Sequence, residues 1–182
     1  SSGTLSLSET PVTTHQVIPA AMILNLTYDP ASNESGVKTF KVRASDGSLW
    51  SVPATVSINL TPVNDAPTLT TVSTLTGNTE DTALTISYET LAAAANEADV
   101  DGDPLSFRIE AVISGTLYKG GIAVTAGTTL LSTGQDLVWT PAANVNGTVN
   151  AFTIKAWDGT TTSATAIQVQ VAVTATNVAP VA

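Results

Sequence analysis

Phe152-Thr153-Ile154-Lys155-Ala156-Trp157-Asp158-Gly159 reads as a β-strand closed by a tight turn. Phe152, Ile154 and Ala156 alternate with Thr153, Lys155 and Trp157, the period of two expected of a half-buried antiparallel strand. Asp-Gly then supplies turn chemistry. The same phrase stands upstream as Phe40-Lys41-Val42-Arg43-Ala44-Ser45-Asp46-Gly47. There Phe40, Val42 and Ala44 form the inward series, with Lys38, Lys41 and Arg43 outside it.

Working outward, residues 1–63 and 115–176 repeat one another. Leu26-Thr27-Tyr28-Asp29-Pro30-Ala31-Ser32-Asn33 matches Leu137-Val138-Trp139-Thr140-Pro141-Ala142-Ala143-Asn144, and Gly36 matches Gly147. Val63-Asn64-Asp65-Ala66-Pro67 matches Thr176-Asn177-Val178-Ala179-Pro180. Pro30 and Pro141, Asp46 and Asp158, and Asn64 and Asn177 are offset by 111, 112 and 113 residues, so the unit is immunoglobulin-sized with single-residue insertions. Further inward sets are Val56, Ile58 and Leu60; Leu84 and Ile86; Leu105, Phe107 and Ile109; Leu137 and Trp139; and Ile167, Val169, Val171 and Val173. Only Leu91-Ala92-Ala93-Ala94-Ala95 looks helical, for one or two turns. The expected fold is all-β, a tandem series of Greek-key sandwiches. About seven strands fall within residues 66–176, and only the later strands of such a unit within 1–63.

The composition agrees. Of 182 residues 43% are hydrophobic, but only 5% are aromatic and 12% charged, which suits strands joined by polar turns rather than a helical bundle. Net charge is −9 with six basic residues, so no basic patch exists to neutralise phosphates and nucleic-acid binding is excluded. There is no cysteine, which leaves metal ions as the natural staple for small extracellular domains. No apolar run approaches the length of a membrane span, and Ser1 to Ser8 does not resemble a signal peptide. Any export signal or anchor is expected outside this stretch.

The chemistry concentrates in Asp99-Val100-Asp101-Gly102-Asp103-Pro104-Leu105, three carboxylates on alternate residues. Like charges so placed repel unless a cation sits among them, and calcium prefers several hard oxygen ligands. Asn64 and Asp65 offer more oxygens in a stretch pinned by Pro62 and Pro67, and Asp158 ends a strand that can return to the same end of the sandwich. The plainer reading is that Asp-Gly and Asn-Asp pairs are turns. An EF-hand is excluded although Glu110 falls at the twelfth position from Asp99. Pro104 occupies the loop's glycine position, and Leu105 to Glu110 alternates as a strand.

Other sites are thin. His15 is the only histidine, so neither a zinc cluster nor a histidine triad can be built. Glu80-Asp81 and Glu97-Asp99 mimic a glycosidase dyad without any sign of a cleft. Asn25, Asn33 and Asn146 begin glycosylation sequons. Trp139 is expected in the core, with Trp50 and Trp157 at the turns as candidate sugar platforms.

Ala44-Ser45-Asp46-Gly47, Val56-Ser57-Ile58-Asn59-Leu60 and Val63-Asn64-Asp65-Ala66-Pro67 resemble the end of a cadherin repeat and its linker. Glu80-Asp81-Thr82 and Asp99-Val100-Asp101-Gly102-Asp103 resemble the start of the next. The chain is similar throughout to the cadherin-like tandem repeats of large bacterial surface adhesins. The resemblance implies the end of one repeat at 1–63 without its early strands, a complete repeat with its linker at 64–176, and the next linker from 177 to 182. It implies calcium between repeats, held near residue 65 by Asn64, Asp65, Asp99, Asp101 and Asp158, with Asp103 as a further candidate. The Asn33-Glu34 loop would approach from the preceding repeat, a looser match. Glu80 and Asn177, beside Asn144, would serve the following joint, and Asp46 the preceding one. The second linker, Asn177-Val178, lacks the counterpart of Asp65, so that joint is expected to bind more weakly.

The reading that results is a non-enzymatic, adhesive spacer at the cell surface or outside the cell, stiffened by calcium, with neighbouring repeats as partners and surface glycans or other cells beyond them. Two readings compete with it. One is a carbohydrate-binding module using Trp50 or Trp157. The other is a filament subunit whose first half-sandwich accepts strands from a neighbouring chain.

Overall fold

The computed structural model describes residues 3–177, and the chain divides into two units, Ser1–Val63 and Asn64–Ala182. The matches at Val178, Ala179 and Pro180 lie outside the described residues.

In the first unit, β1 (Thr4–Leu7) pairs antiparallel with β2 (Thr10–Pro11) and with β3 (Leu26–Asp29), which follows a 3₁₀ turn at Ala20–Asn25. A separate hairpin joins β4 (Gly36–Val42) to β5 (Ala54–Leu60). Val56, Ile58 and Leu60 share one half-buried face as alternation predicts. Lys38 does not fall outside the series of Phe40: it has the same parity, is half-buried with it, and pairs with Glu34 at 3.2 Å. No described residue of this unit is fully buried.

Glu34 fastens the first unit internally. Its Oε2 accepts hydrogen bonds from Ala31 N at 2.9 Å, Tyr28 Oη at 2.9 Å and Gly3 N at 3.0 Å. The Ala31 amide, with Tyr28 and Lys38, outweighs desolvation and holds its pKa down at about 2. A depressed folded-state pKa gives stability that is present above the unfolded value and lost as pH falls through the folded one. The first unit is therefore expected to lose stability progressively between about pH 4.5 and 2. Glu34→Gln should flatten that part of an acid titration followed by circular dichroism while leaving the second unit's profile in place.

The second unit is a sandwich of two sheets. One has the order β10 (Ile122–Ala123), β9 (Thr116–Lys119), β12 (Asp136–Thr140), β7 (Leu84–Ser87). The other runs β11 (Leu130–Leu131), β8 (Ser106–Val112), β13 (Gly147–Trp157), β14 (Ile167–Thr174), β6 (Leu75–Thr79). All neighbours are antiparallel except β14 and β6. Among the described residues the strands number nine rather than about seven, the additions being short or weakly patterned. Between the sheets lie Trp139, Phe107, Phe152, Ile86, Leu137 and Val171, all at 1% exposure or less. The one short helix, α1 (Tyr88–Ala94), starts where Ser87 Oγ caps Thr90 N at 3.0 Å, and it buries Leu91.

β13 carries a bulge: its pairing with β14 skips from Asn150 to Phe152. Ala151 and Phe152 are consequently both buried, and the inward phase shifts from Val149 and Ala151 to Phe152, Ile154 and Ala156. At eleven residues β13 spans about 35 Å, and so defines two well-separated ends of the unit.

Candidate metal centre

Asp158 follows the C-terminal end of β13, and the loop from Asp99 to Asp103 leads into β8, whose start pairs with that same end through Ser106 and Trp157. Sequence-distant acids therefore meet at one end of the second unit. Asp99, Asp101 and Asp103 each place a carboxylate oxygen within 4.8 Å of the others. Oxygens sharing one calcium at 2.3–2.6 Å lie at most about 5 Å apart, so the spacing suits a common ion.

The loop is shaped by its own carboxylates. Asp99 Oδ1 accepts from Asp101 N at 2.9 Å and from Asp103 N at 3.2 Å, with Gly102 between them at φ +80°. Asp101 Oδ2 accepts from Asp65 N at 2.7 Å, tying the loop to the stretch that enters the unit. Asn64 Nδ2 donates to Asp158 Oδ2 at 2.9 Å. Asn64, Asp65, Asp99, Asp101, Asp103 and Asp158 are thus brought together. The ion pairs among the described residues, Lys38–Glu34 and Arg108–Glu110, do not involve this loop.

Asp99 Oδ2 is sealed from solvent without a hydrogen-bond partner, and so, outside the carboxylate triad, is Glu97 Oε2. A buried unpaired carboxylate oxygen is costly, and a cation is one way to relieve it. The donor set fits calcium in kind: hard oxygens, several of them carboxylate, on a flexible loop. Burial pushes the Glu97 carboxyl up from its ordinary value. Burial also opposes the charge on Asp158. The bonds it receives from Thr161 N, Asn64, Thr160 N and Thr161 Oγ1 outweigh that and hold it well below the usual carboxylate range. Sequence reasoning missed Thr161, which bonds Asp158, and the burial of the Glu97 carboxylate. The available signals were the Asp158-Gly159-Thr160-Thr161 turn pattern and the alternate spacing of Glu97 with Asp99.

The remaining candidates lie elsewhere. Glu80 is at the opposite end of the second unit, where β13 begins and β14 ends. Its Oε1 accepts from Thr176 N and Thr176 Oγ1, both at 2.8 Å, and its Oε2 from Asn146 Nδ2 at 3.1 Å. Those bonds, the Thr176 amide first, lower its pKa. Asn144 N donates to Asp81 Oδ1 at 2.9 Å, and Asn177 follows Thr176, exposed. Asp46 belongs to the first unit, where its Oδ1 accepts from Ser48 N and Leu49 N in an ordinary turn. Glu34 bonds within its own unit, to Gly3, Tyr28, Ala31 and Lys38. Trp139 is core, Trp157 lies beneath the Arg108 guanidinium at 5.8 Å, and Trp50 is 56% exposed.

Residues 64–171 match the family model of the bacterial Ig domain. The chain belongs to the bacterial Ig domain family. Domains of this family are typically non-catalytic and usually form parts of surface or extracellular proteins. No helix among the described residues is long and apolar enough to cross a membrane. No curated protein matches the chain significantly. Among solved structures it is similar to part of an endo-fucoidan hydrolase from glycoside hydrolase family 107, at 22% identity and a TM-score of 0.39. That match covers 84% of this chain and 20% of the other, so the chain spans about a fifth of that enzyme's length. At that score the likeness carries no argument about activity.

Proposed function

We propose that this bacterial Ig chain is an adhesive spacer module of a secreted or cell-surface tandem-repeat protein, stiffened by calcium between cadherin-like repeats. The observation that carries the reading is the buried, unpartnered Asp99 Oδ2 inside a triad of carboxylates whose oxygens lie within 4.8 Å of each other. Asn64, Asp65, Asp99, Asp101, Asp103 and Asp158 would hold the ion, which would supply the positive charge that the loop lacks. Asn64 and Asp65 immediately follow the first unit, so an ion held there restrains the chain between the two. Glu80 and Asn177 would serve a further joint, and Asp46 another. Repeats of the same array are the direct partners, with surface glycans or other cells as the targets of the whole protein.

The role is mechanical. Without calcium, carboxylate repulsion loosens the stretch from Pro62 to Pro67; with calcium, coordination that includes Asn64 and Asp65 would restrain it. Small-angle scattering of the chain in EDTA and in millimolar calcium tests this. A narrower range of overall dimensions in calcium is expected, and an unchanged profile at saturating calcium would overturn the stiffening role.

A further inference from the structure

Tension carried through the second unit runs along its strands. The chain enters beside Asp158, where Asn64 Nδ2 bonds that carboxylate, and leaves through Thr176, which follows β14 at the opposite end. β6 is an edge strand hydrogen-bonded to β14, and the two run parallel: Leu75 lies opposite Val171, Asn78 opposite Val173 and Thr79 opposite Thr174. Ahead of β6, among the described residues, the chain pairs through isolated bridges, Thr68 with Ala98 and Val72 with Ala95. The β6–β14 ladder is therefore the first continuous pairing that a pull on the entering chain meets.

Direction decides how such a ladder fails. A pull at Asn64 draws β6 towards the Asp158 end, and a pull at Thr176 draws β14 towards the Glu80 end. Parallel strands loaded in this way must slide past one another. Their evenly spaced hydrogen bonds then share the load and break together. Strands pulled apart from one shared end lose their bonds one at a time.

Glu80 closes the ladder at its far end. It follows Thr79 directly, is 8% exposed, and its backbone N donates to Thr174 O at 2.9 Å. Its Oε1 accepts from Thr176 N and Thr176 Oγ1, and its Oε2 from Asn146 Nδ2, one residue ahead of β13. Bonds to an ionised acceptor are stronger than those between neutral groups. One side chain thus ties the ends of β6 and β14 to the start of β13, and its bonds to Thr176 lie in the path of the tension.

We infer that β6, β14 and the Glu80–Thr176 bonds form a clamp loaded in shear, by which the second unit bears tension applied along the chain. Glu80 is its latch. The clamp needs no ion and stands whether or not calcium binds at the Asp99–Asp103 loop.

Single-molecule stretching of the whole chain in excess EDTA tests this, so that a failure here is separate from any failure of the calcium reading. The chain has no cysteine, so an introduced one fixes each attachment. One handle stays at the C-terminal end. The other is placed at Val63→Cys, which loads the clamp in shear, or at exposed Ala83→Cys, just past Glu80, which opens β6 from β14 at their shared end. The event to read lengthens the chain by about 300 Å, the reach of the roughly 100 residues from Leu75 to Thr174. At one fixed load the Val63 geometry is expected to unfold on the order of a hundredfold more slowly than the Ala83 geometry. In the Val63 geometry Glu80→Gln, which keeps the size and removes the charge, should speed unfolding about tenfold. Leu117→Ala, a loss from the core on the other sheet, should lower equilibrium stability more yet speed loaded unfolding less, because β9 lies outside the clamp. Equal rates in the two geometries would overturn the clamp. An unchanged rate in Glu80→Gln, or a larger acceleration by Leu117→Ala, would overturn the role of Glu80 as its latch.

Discussion

Trp139→Ala is expected to destabilise the second unit by about 3–5 kcal/mol, the range for deleting a large buried aromatic. Trp139 sits at 0% exposure on β12, opposite Leu117 on one side and Leu84 on the other, so the neighbouring strands cannot easily close the gap. Its Nε1 also donates to Ser114 O at 2.8 Å, and truncation strands that carbonyl. For a domain whose total stability is of order 5–15 kcal/mol, the loss is a large share. Trp139→Phe keeps much of the volume and loses the bond, and should cost less, about 1–3 kcal/mol. Urea unfolding followed by circular dichroism measures both. The ordering alanine, phenylalanine, parent is expected, and equal midpoints would show that Trp139 is not the centre of the core.

Much of this core was legible because alternation is a direct consequence of the strand's pleat. Phe152, Ile154 and Ala156, and Val169, Val171 and Val173, face inward as their spacing requires. What escaped had no such signal. β6 runs Leu75-Thr76-Gly77-Asn78-Thr79, with a glycine and an asparagine where apolar residues would mark it, and is held by parallel pairing to β14. The bulge at Ala151 shows in sequence only as a one-residue change of offset, whose structural meaning needs the pairing register. Lys38 was misassigned because a charge suggests solvent, whereas its stem can lie along an apolar face while its ammonium reaches Glu34. For the acidic site, the triad followed from alternate spacing, and Asn64 and Asp158 from motif and resemblance. Thr161 bonds Asp158 within a local turn whose pattern the sequence shows, whereas the burial of Glu97 depends on long-range packing.

Calcium is expected to raise the melting midpoint of the second unit, because a ligand that binds only the folded state stabilises it by mass action. Extracellular calcium modules bind with dissociation constants on the order of 10⁻⁴–10⁻³ M. At about 10 mM calcium that corresponds to about 1.4–2.7 kcal/mol, a rise of roughly 5–10 °C for a unit of this size. Asp101 is the informative position: it is exposed, so its loss opens no cavity, yet it belongs to the triad and binds Asp65 N. In EDTA, Asp101→Ala should therefore melt within about 1 kcal/mol of the parent, since one hydrogen bond is lost and some repulsion is relieved. The decisive measurement is the melting midpoint of parent and Asp101→Ala, each in excess EDTA and in millimolar calcium. The account predicts a calcium-dependent rise in the parent that the variant largely loses. Identical midpoints with and without calcium, or equal rises in both proteins, would contradict it and leave the Asp99–Asp103 loop as a turn held by its own hydrogen bonds.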